Sequence, residues 1–494
     1  MRNSTPFFPS WRPSFATLGR RSTSLVRSLR QATLAQIEQR FAPALPSSLL
    51  GQNAKDDHSR ERIYTLARTV WCWIWQILQP HCSCREVVRQ VQALFALHRA
   101  GEVDEGTAAY CQARNKLTLG LLKKVFLQSF RSAENAARAP AKPLLQNRPI
   151  RAVDGSGSRL PDTAKNRAAF PPSDSLPAGT GFPFMRIAVL FSLVSGAILD
   201  QATGSLHGHE LRLFVEELLP RLQQGDILLG DRAYGSYVVA ALLQAAGIDL
   251  IGTVSARCRK IDDRKAKVQL ASHDALFVWK KPPKASPLLS AQQWKTLPKE
   301  ITVRLLRLSI VRRGFRSETI VIVTTLLDQA LYPTEEIIAT HARRWRLEMC
   351  LDDLKTTLGM EHLRCHRPEM AQKELLVFLT AHNLLRWLMA QAATQEQADM
   401  ERLSFKGSLD SFRQWSQAMS QRRERHRCAE LWRQLLHTIA ADTLPYRPGR
   451  NEPRAVKKRS KYPRLNKPRR QFVDRWSRNK RRRVATAKRK ASLN

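Results

Sequence analysis

Two aspartates follow short predicted strands, in positions where a functional site could lie. Asp154 comes directly after residues 151–153, and Asp231 comes directly after residues 226–230. Open α/β sheets place their functional sites at the carboxyl ends of strands, so both carboxylates are expected at one sheet edge. A single aspartate in such a position is more often a turn former or a helix cap, but two on neighbouring strands favour a site.

A third acid lies on a long predicted helix that begins near residue 333. Four polar side chains share one stripe of this helix at 3.6 residues per turn: His341, Arg344, Glu348 and Lys355. Asp352 lies on the same stripe. From periodicity alone, a solvated charged face with ion pairs between successive turns explains the pattern better than catalysis does.

The elements predicted around these residues alternate as in a mixed α/β sheet with helices on its faces. After the first strand, the predicted order is a hairpin at 186–202, a helix at 210–222, a strand at 226–230, a helix at 237–246 and a strand at 248–254. Residues 255–318 interrupt this alternation with β-type segments and charged loops, which indicates an inserted β-rich subdomain. A strand over 318–327 resumes the pattern, and helices follow to about residue 440.

Composition divides the chain further. Residues 1–60 are polar and rich in Ser, Pro and Arg, which predicts a disordered basic arm. Residues 61–148 predict a helical domain, either one that binds DNA or a plain packing module. The predicted core comprises residues 149–254 and 319–390, a helical C-terminal region covers 391–446, and a basic tail covers 447–494.

The charge of the chain points to a polyanionic partner. The chain has 82 Lys plus Arg against 42 Asp plus Glu, a formal net charge of +40. The tail holds 20 Lys or Arg and two acids, so the other 446 residues still carry +22. Such a balance argues against an ordinary metabolic enzyme and favours nucleic acid as the partner. Tyr462, Phe472 and Trp476 among the tail cations suit phosphate contact combined with stacking.

Neither membrane insertion nor disulfide bonding is expected. The longest apolar run, residues 187–199, is interrupted by serines and a glycine and is shorter than the roughly 20 residues of a spanning helix. No secretory signal is evident. The eight cysteines show no paired C-x-x-C spacing with matching histidines, so we expect reduced thiols in a cytoplasmic protein.

Several short motifs together resemble the DDE transposases of bacterial insertion sequences, in the branch called the insertion sequence four family. The motifs are Asp154-Gly155-Ser156, Pro161-Asp162-Thr163, Gly230-Asp231-Arg232-Ala233-Tyr234, residues 323–328, Tyr332-Pro333, the 341–355 stripe, Leu363-Arg364 and Asn383-Leu384-Leu385-Arg386. The stripe matches the spacing of the family's Tyr-Arg-Glu-Lys signature, with His341 in place of the tyrosine. The similarity runs from about residue 60 to 390.

The resemblance implies an RNase H-like catalytic core with a β-rich insertion between its second and third acids. It implies that Asp154, Asp231 and Glu348 are the catalytic, metal-binding triad, with Mg²⁺ as the cofactor and Mn²⁺ as a substitute. DNA contacts are expected from five residues: Arg232, Tyr234, His341, Arg344 and Lys355. The family's hairpin mechanism implies a tryptophan that stacks on a flipped base, for which Trp279 and Trp294 are the candidates, although either could equally pack in the core.

The sequence therefore predicts a transposase that cleaves the ends of its insertion sequence and joins them to target DNA. It is expected to need no nucleotide cofactor, to work as a homodimer on paired ends, and to be associated with the bacterial nucleoid. Two alternatives remain at this point. One is a related metal-dependent nuclease without strand transfer. The other is a DNA-binding protein that occupies or represses its ends, which the intact acid triad argues against.

Overall fold

The computed structural model describes residues 37, 40–51, 63–98, 102–137, 145–173, 180–206, 210–254, 263–310, 318–420 and 425–445. The predicted basic tail at 447–494 and most of the predicted basic arm at 1–60 lie outside these residues. The segments 255–262 and 311–317 near the two ends of the predicted insertion also lie outside them.

The N-terminal helices pack onto the C-terminal half of the chain. They are α1 (Ser47–Gly51), α2 (Leu66–Leu78), α3 (Cys84–His98), α4 (Ala108–Lys116) and α5 (Leu119–Ala136). Ten of the 13 residues of α2 are buried, because this Trp-rich helix has almost no polar face. Both α2 and α5 contact the long helix α12 (Pro368–Glu396), and their side chains join one hydrophobic core with it. The predicted helical region is therefore continuous with the core.

A single sheet of nine strands runs through the described residues. The first five strands are β1 (Ile150–Arg159), β2 (Phe184–Ser192), β3 (Ile198–Ser205), β4 (Ile227–Leu229) and β5 (Asp249–Val254). Strand β1 pairs antiparallel with β2 and parallel with β4, which is itself parallel to β5. The hairpin β2–β3 turns at Gly196, whose φ of +65° is open to glycine. Strand and helix types between residues 150 and 254 agree with those predicted from the sequence.

The helices of this half lie between the strands in the chain. They are α6 (Ala164–Ala169), α7 (Glu210–Leu213) and α8 (Tyr237–Ala245), and α7 continues as a π-helical turn over Phe214–Leu218. The Ser236 side chain accepts a hydrogen bond from the Val239 N–H and so begins α8. An apolar cluster of α7, its π-helical continuation and α8 covers one face of the sheet.

The predicted insertion is β-rich, but its strands extend the central sheet. They are β6 (Val268–Ala271), β7 (Asp274–Lys280) and β8 (Glu300–Ile310), with a short helix α9 (Ala291–Thr296) between the last two. Strand β9 (Glu318–Thr324) pairs with β5 on one side and β8 on the other, which gives the order β3-β2-β1-β4-β5-β9-β8-β7-β6. The β-type strands expected in this segment are observed, and backbone hydrogen bonds across β9 join them to the central sheet.

The predicted long helix after residue 333 is two helices. Helix α10 (Thr334–Ala342) ends at Arg343, and α11 (Trp345–Asp352) begins after Arg344 and continues as a π-helical turn over Asp353–Thr357. Helices α12, α13 (Phe405–Ser420) and α14 (Arg425–Ala441) follow, in agreement with the prediction of helices to about residue 440. In the part of the chain that the structure describes, no helix is long and apolar enough to cross a membrane.

Candidate active site

The register between β1 and β4 places Asp154 and Asp231 at the same level of the sheet. Ala152 pairs with Leu229 in the parallel ladder, and each aspartate follows two residues later. Strand β4 ends at Leu229, whereas β1 continues to Arg159 beside β2. Asp154 therefore lies inside a longer strand than the sequence predicted, and it is uncovered on the side where β4 has ended.

A further carboxylate, which the sequence analysis did not identify, lies beside Asp154. A Cβ atom at Gly155 would be 2.0 Å from Glu210 Oε2, so only a glycine allows the carboxylate of Glu210 to reach this strand. The Tyr234 hydroxyl donates a hydrogen bond of 3.1 Å to Glu210 Oε1. The one signal in the sequence is that Glu210 stands at the start of a helix after a strand, which does not distinguish it from other helix-initiating acids.

The charges of these side chains act on one another. Burial raises the pKa of Asp154 to about 6, and the charges of Asp231 and Glu210 add to the shift. The Gly155 N–H, which donates to Asp154 Oδ1 at 2.8 Å, and the charge of Arg344 act in the opposite direction. Each carboxylate makes ionisation of its neighbour less favourable. Groups of acids whose pKa values are shifted in this way are common at functional sites.

His341 faces the sheet. Its Nε2 lies 2.8 Å from Thr253 Oγ1 on β5, and Gly235 packs so closely on the same strand that a Cβ there would be 2.2 Å from the Thr253 carbonyl oxygen. Burial, together with the charge of Arg344, lowers the pKa of His341 to about 4. The ring is thus neutral near pH 7, so any contact of His341 with a DNA phosphate would be made by an uncharged imidazole.

Glu348 lies on helix α11, which packs against β1. The preceding residue, Leu347, is buried. Arg344, in the break before α11, lies 3.2 Å from Glu348 in an ion pair of Nη2 with Oε1. The charge of Arg344 also acts on Asp154 and lowers the pKa of that carboxyl, against the effect of burial.

The other predicted DNA-contact residues differ in exposure. Arg232 is exposed in the turn after Asp231, and Lys355 is half-buried in the π-helical turn after α11. Tyr234 is fully buried and supports Glu210, so the prediction that its side chain contacts DNA does not agree with its position. Asp352 is exposed and accepts a hydrogen bond of 2.7 Å from Thr356.

The aromatic residues near the site also differ from the sequence prediction. Trp279 is 4% exposed in β7, so this candidate for base stacking has almost no accessible ring. Trp294 is half-buried on α9, with Lys281 Nζ 5.0 Å from its ring centroid. Trp345 and Met349, one turn apart on α11, are 59% and 40% exposed beside Arg344 and Glu348.

The acids fit a divalent cation in their chemistry but are not gathered into one ligand group. Asp154, Asp231, Glu210 and Glu348 supply only hard oxygen donors, as Mg²⁺ and Mn²⁺ prefer. Within the described ranges, however, no group of three or more His, Cys, Asp or Glu side chains is placed to hold a metal ion. Glu348 pairs with Arg344 instead.

Comparisons with known proteins show similarity to transposases. Residues 145–384, which contain all four acids, match the family described as "Transposase DDE domain". The chain is 26% identical over 408 residues to "Transposase InsG for insertion sequence element IS4" of Escherichia coli (strain K12), which covers 82% of this chain and 88% of that protein. Among solved structures, the "piggyBac transposase synaptic complex with hairpin DNA" covers 80% of each chain at 10% identity, with a TM-score of 0.39.

The domain match and the mixed α/β fold support a DDE transposase. Within that class, the chain is similar over most of its length to the IS4 transposase. It is accordingly a DNA transposase, in agreement with the function predicted from the sequence.

Proposed function

We propose that this transposase cleaves the ends of its own insertion sequence and joins them to target DNA through Asp154, Asp231 and Glu348. The observation that carries the proposal is the register that brings Asp154 and Asp231 to the same level, together with the packing of α11, the helix of Glu348, against β1. The order β3-β2-β1-β4-β5, with one antiparallel hairpin and two parallel pairs, supports an RNase H-like core.

The three carboxylates would hold the divalent cation, Mg²⁺ or Mn²⁺ in its place, and Glu210 lies near enough to orient Asp154. The cation supplies activation of the attacking water or 3′-hydroxyl and stabilisation of the leaving oxygen. The rigid ladder between β1 and β4 fixes two of the carboxylates before DNA arrives, so less ordering remains to be done during the reaction.

The cationic side chains around the acids would position the DNA backbone. Arg232 is exposed beside Asp231, and Arg344 and Lys355 flank Glu348, so all three surround the point where a scissile phosphate must lie. Guanidinium groups bind phosphate oxygens in pairs, which fixes orientation as well as distance. Trp294 and the exposed Trp345 are the aromatic rings available for stacking on a displaced base.

The proposed assembly is a homodimer on the two ends of the element, acting at the bacterial nucleoid. Labelled end DNA with Mg²⁺ tests the activity directly, because cleavage followed by joining, cleavage alone and binding alone are distinct products. Cleavage without joining would leave a nuclease, and binding without cleavage would leave a DNA-binding protein.

Substitution of the triad tests the assignment of residues. We expect Asp154→Asn, Asp231→Asn and Glu348→Gln each to lower end cleavage by roughly a thousandfold or more, because each removes a charged metal ligand with little change of shape. DNA binding, measured by gel shift, should survive. The matched control is Asp352→Asn, an exposed acid on the same helix, which should keep cleavage within about twofold of the wild type. Strong cleavage by any triad variant would remove that residue from the assignment.

A further inference from the structure

Glu348 has a cationic partner on its own helix. Arg344 Nη2 lies 3.2 Å from Glu348 Oε1, and the two side chains are 26% and 39% exposed, so neither is fully solvated. The same guanidinium is close enough to Asp154 and to His341 for its charge to act on both. Arg344 is thus the resident cation of a site that is otherwise built from acids.

The geometry of the site is incomplete while this ion pair exists. Asp154 and Asp231 are already level on adjacent strands, but in the described chain no three ligand-type side chains are placed to hold a metal ion. Glu348 Oε1 must therefore give up its contact with Arg344 before that oxygen can ligate a metal ion together with the other two acids. A half-buried carboxylate that loses its cation needs a replacement charge, which a divalent ion supplies.

We propose that Arg344 is a positioning residue that holds Glu348 apart from Asp154 and Asp231 until a DNA phosphate takes over the guanidinium. A guanidinium fork matches phosphate and carboxylate oxygens equally well, so the end DNA competes directly with Glu348 for Arg344. Once released, Glu348 completes the metal site. DNA and the divalent cation then bind cooperatively, and the site is assembled only on the substrate. This inference rests on the metal-binding role proposed above for the three acids.

The first test measures Mn²⁺ binding to the full chain without DNA, by the electron paramagnetic resonance signal of free Mn²⁺. Because Arg344→Gln removes the competing cation, we expect Mn²⁺ to bind roughly two- to fivefold tighter, the range that a half-exposed ion pair allows. The matched control is Arg343→Gln, which removes the same charge one residue away. Arg343 pairs at 3.8 Å with Glu401, outside the site, so its loss should leave Mn²⁺ affinity unchanged.

A tighter affinity distinguishes this role from structural damage, since a loosened site would bind Mn²⁺ more weakly. In a Glu348→Gln background, Arg344→Gln should raise Mn²⁺ affinity less than it does in the wild type, because the acid that Arg344 restrains is gone and only its charge near Asp154 remains. End DNA should raise the Mn²⁺ affinity of the wild type, after subtraction of Mn²⁺ bound to DNA alone, and should raise that of Arg344→Gln much less. If DNA raises the affinity for a divalent cation, the cation must raise the affinity for DNA by the same factor. Ca²⁺ should therefore raise the affinity of the wild type for end DNA more than it raises that of Arg344→Gln.

The outcomes separate this inference from the proposed function. If Arg344→Gln leaves Mn²⁺ affinity unchanged, or if Arg343→Gln raises it equally, the positioning role of Arg344 is wrong. The metal-binding role proposed for the three acids is unaffected by that result. If Asp154→Asn binds Mn²⁺ as well as the wild type, with and without DNA, the metal-binding role itself falls and the inference falls with it.

Discussion

At the scale of single residues, burial and the charges of neighbouring groups set the pKa values of the side chains at the site. Burial and two nearby acids raise the pKa of Asp154, whereas burial beside Arg344 keeps His341 neutral near pH 7. The Tyr-Arg-Glu-Lys spacing could identify Glu348 from the sequence, because those residues are close in the chain. Glu210 could not be identified in this way, because its place beside Gly155 arises only when α7 packs on the sheet.

We predict an acid-induced loss of stability that depends on His341. The ordinary pKa of a histidine is 6.5, and that of folded His341 is about 4. Between these values the unfolded chain binds the proton and the folded chain does not, so unfolding becomes easier as the pH falls from 6.5 to 4. The variant His341→Gln cannot be protonated but can still form a hydrogen bond with Thr253. Its free energy of unfolding should therefore fall by about 2–3 kcal/mol less than that of the wild type between pH 6.5 and pH 4.

The measurement is the urea midpoint of unfolding at several pH values. His273→Gln, at an exposed histidine, is the control and should follow the wild type. Parallel curves for wild type and His341→Gln would contradict the prediction. Affinity for end DNA should show no step near pH 6.5 that depends on His341.

At the scale of elements, the predicted order of strands and helices is observed, but their ends are set by packing. Strand β1 runs past Asp154 because β2 continues to pair with it after β4 has ended. The break between α10 and α11 contains neither Gly nor Pro. Close to this break, the Arg346 side chain donates hydrogen bonds to the Leu193 carbonyl and to Glu401. These partners are 153 and 55 residues away in the chain, so the local sequence does not reveal them.

A buried ion pair joins the insertion strands to α10. Arg304 on β8 donates from Nε to Asp274 Oδ1 on β7 at 2.8 Å, and both side chains are almost fully buried. The Arg304 guanidinium also donates to the Tyr332 carbonyl and to Thr334 Oγ1, and the Thr334 hydroxyl donates to Asp274. These bonds satisfy both charges, so the strands β7 and β8 are fixed relative to the helix that carries His341.

We therefore predict that Arg304→Met lowers the free energy of unfolding by about 3–5 kcal/mol, because it leaves the Asp274 carboxylate buried without its cation. The double variant Arg304→Met with Asp274→Leu should recover much of this loss, since no unpaired charge remains. Urea unfolding of both single variants and the double variant measures the coupling. Equal stability of Arg304→Met and the double variant would show that the unpaired charge is not the cause.

At the scale of the whole molecule, the N-terminal helices and the sheet share the long helix α12. Its residues from Met370 to Ala393 are mostly buried between α5, α2 and α14. Apolar periodicity predicted these helices but not their partner, because a wholly apolar helix does not reveal which neighbour covers it. The sequence composition suggested a boundary between an N-terminal helical domain and the core. In the structure, helices α2 and α5 of the N-terminal region pack on α12, so the two regions share one hydrophobic core.

The basic tail at 447–494, outside the described residues, should bind DNA without sequence preference. It carries 20 Lys or Arg and none of the proposed triad. If about a third of these cations meet phosphates, deleting the tail lowers the slope of log affinity against log salt by roughly six. Preference for end DNA over random DNA should persist, since we assign sequence reading to the N-terminal helices.

The measurement compares full-length and truncated chains on both DNAs across a salt series. An unchanged slope would mean that the tail does not contact phosphate. Selective loss of end binding would instead assign sequence recognition to the tail.

The continuation of the sheet beyond β9 has a consequence for how such transposases can diverge. Strands β8, β7 and β6 are added outward, each bonded to the one before, with the partly exposed strand β6 at the edge. A hairpin gained or lost at that margin leaves the register between β1 and β4 untouched, because register is passed only between neighbouring strands. Lineages can therefore lengthen or trim this region over generations while inheriting the same arrangement of acids.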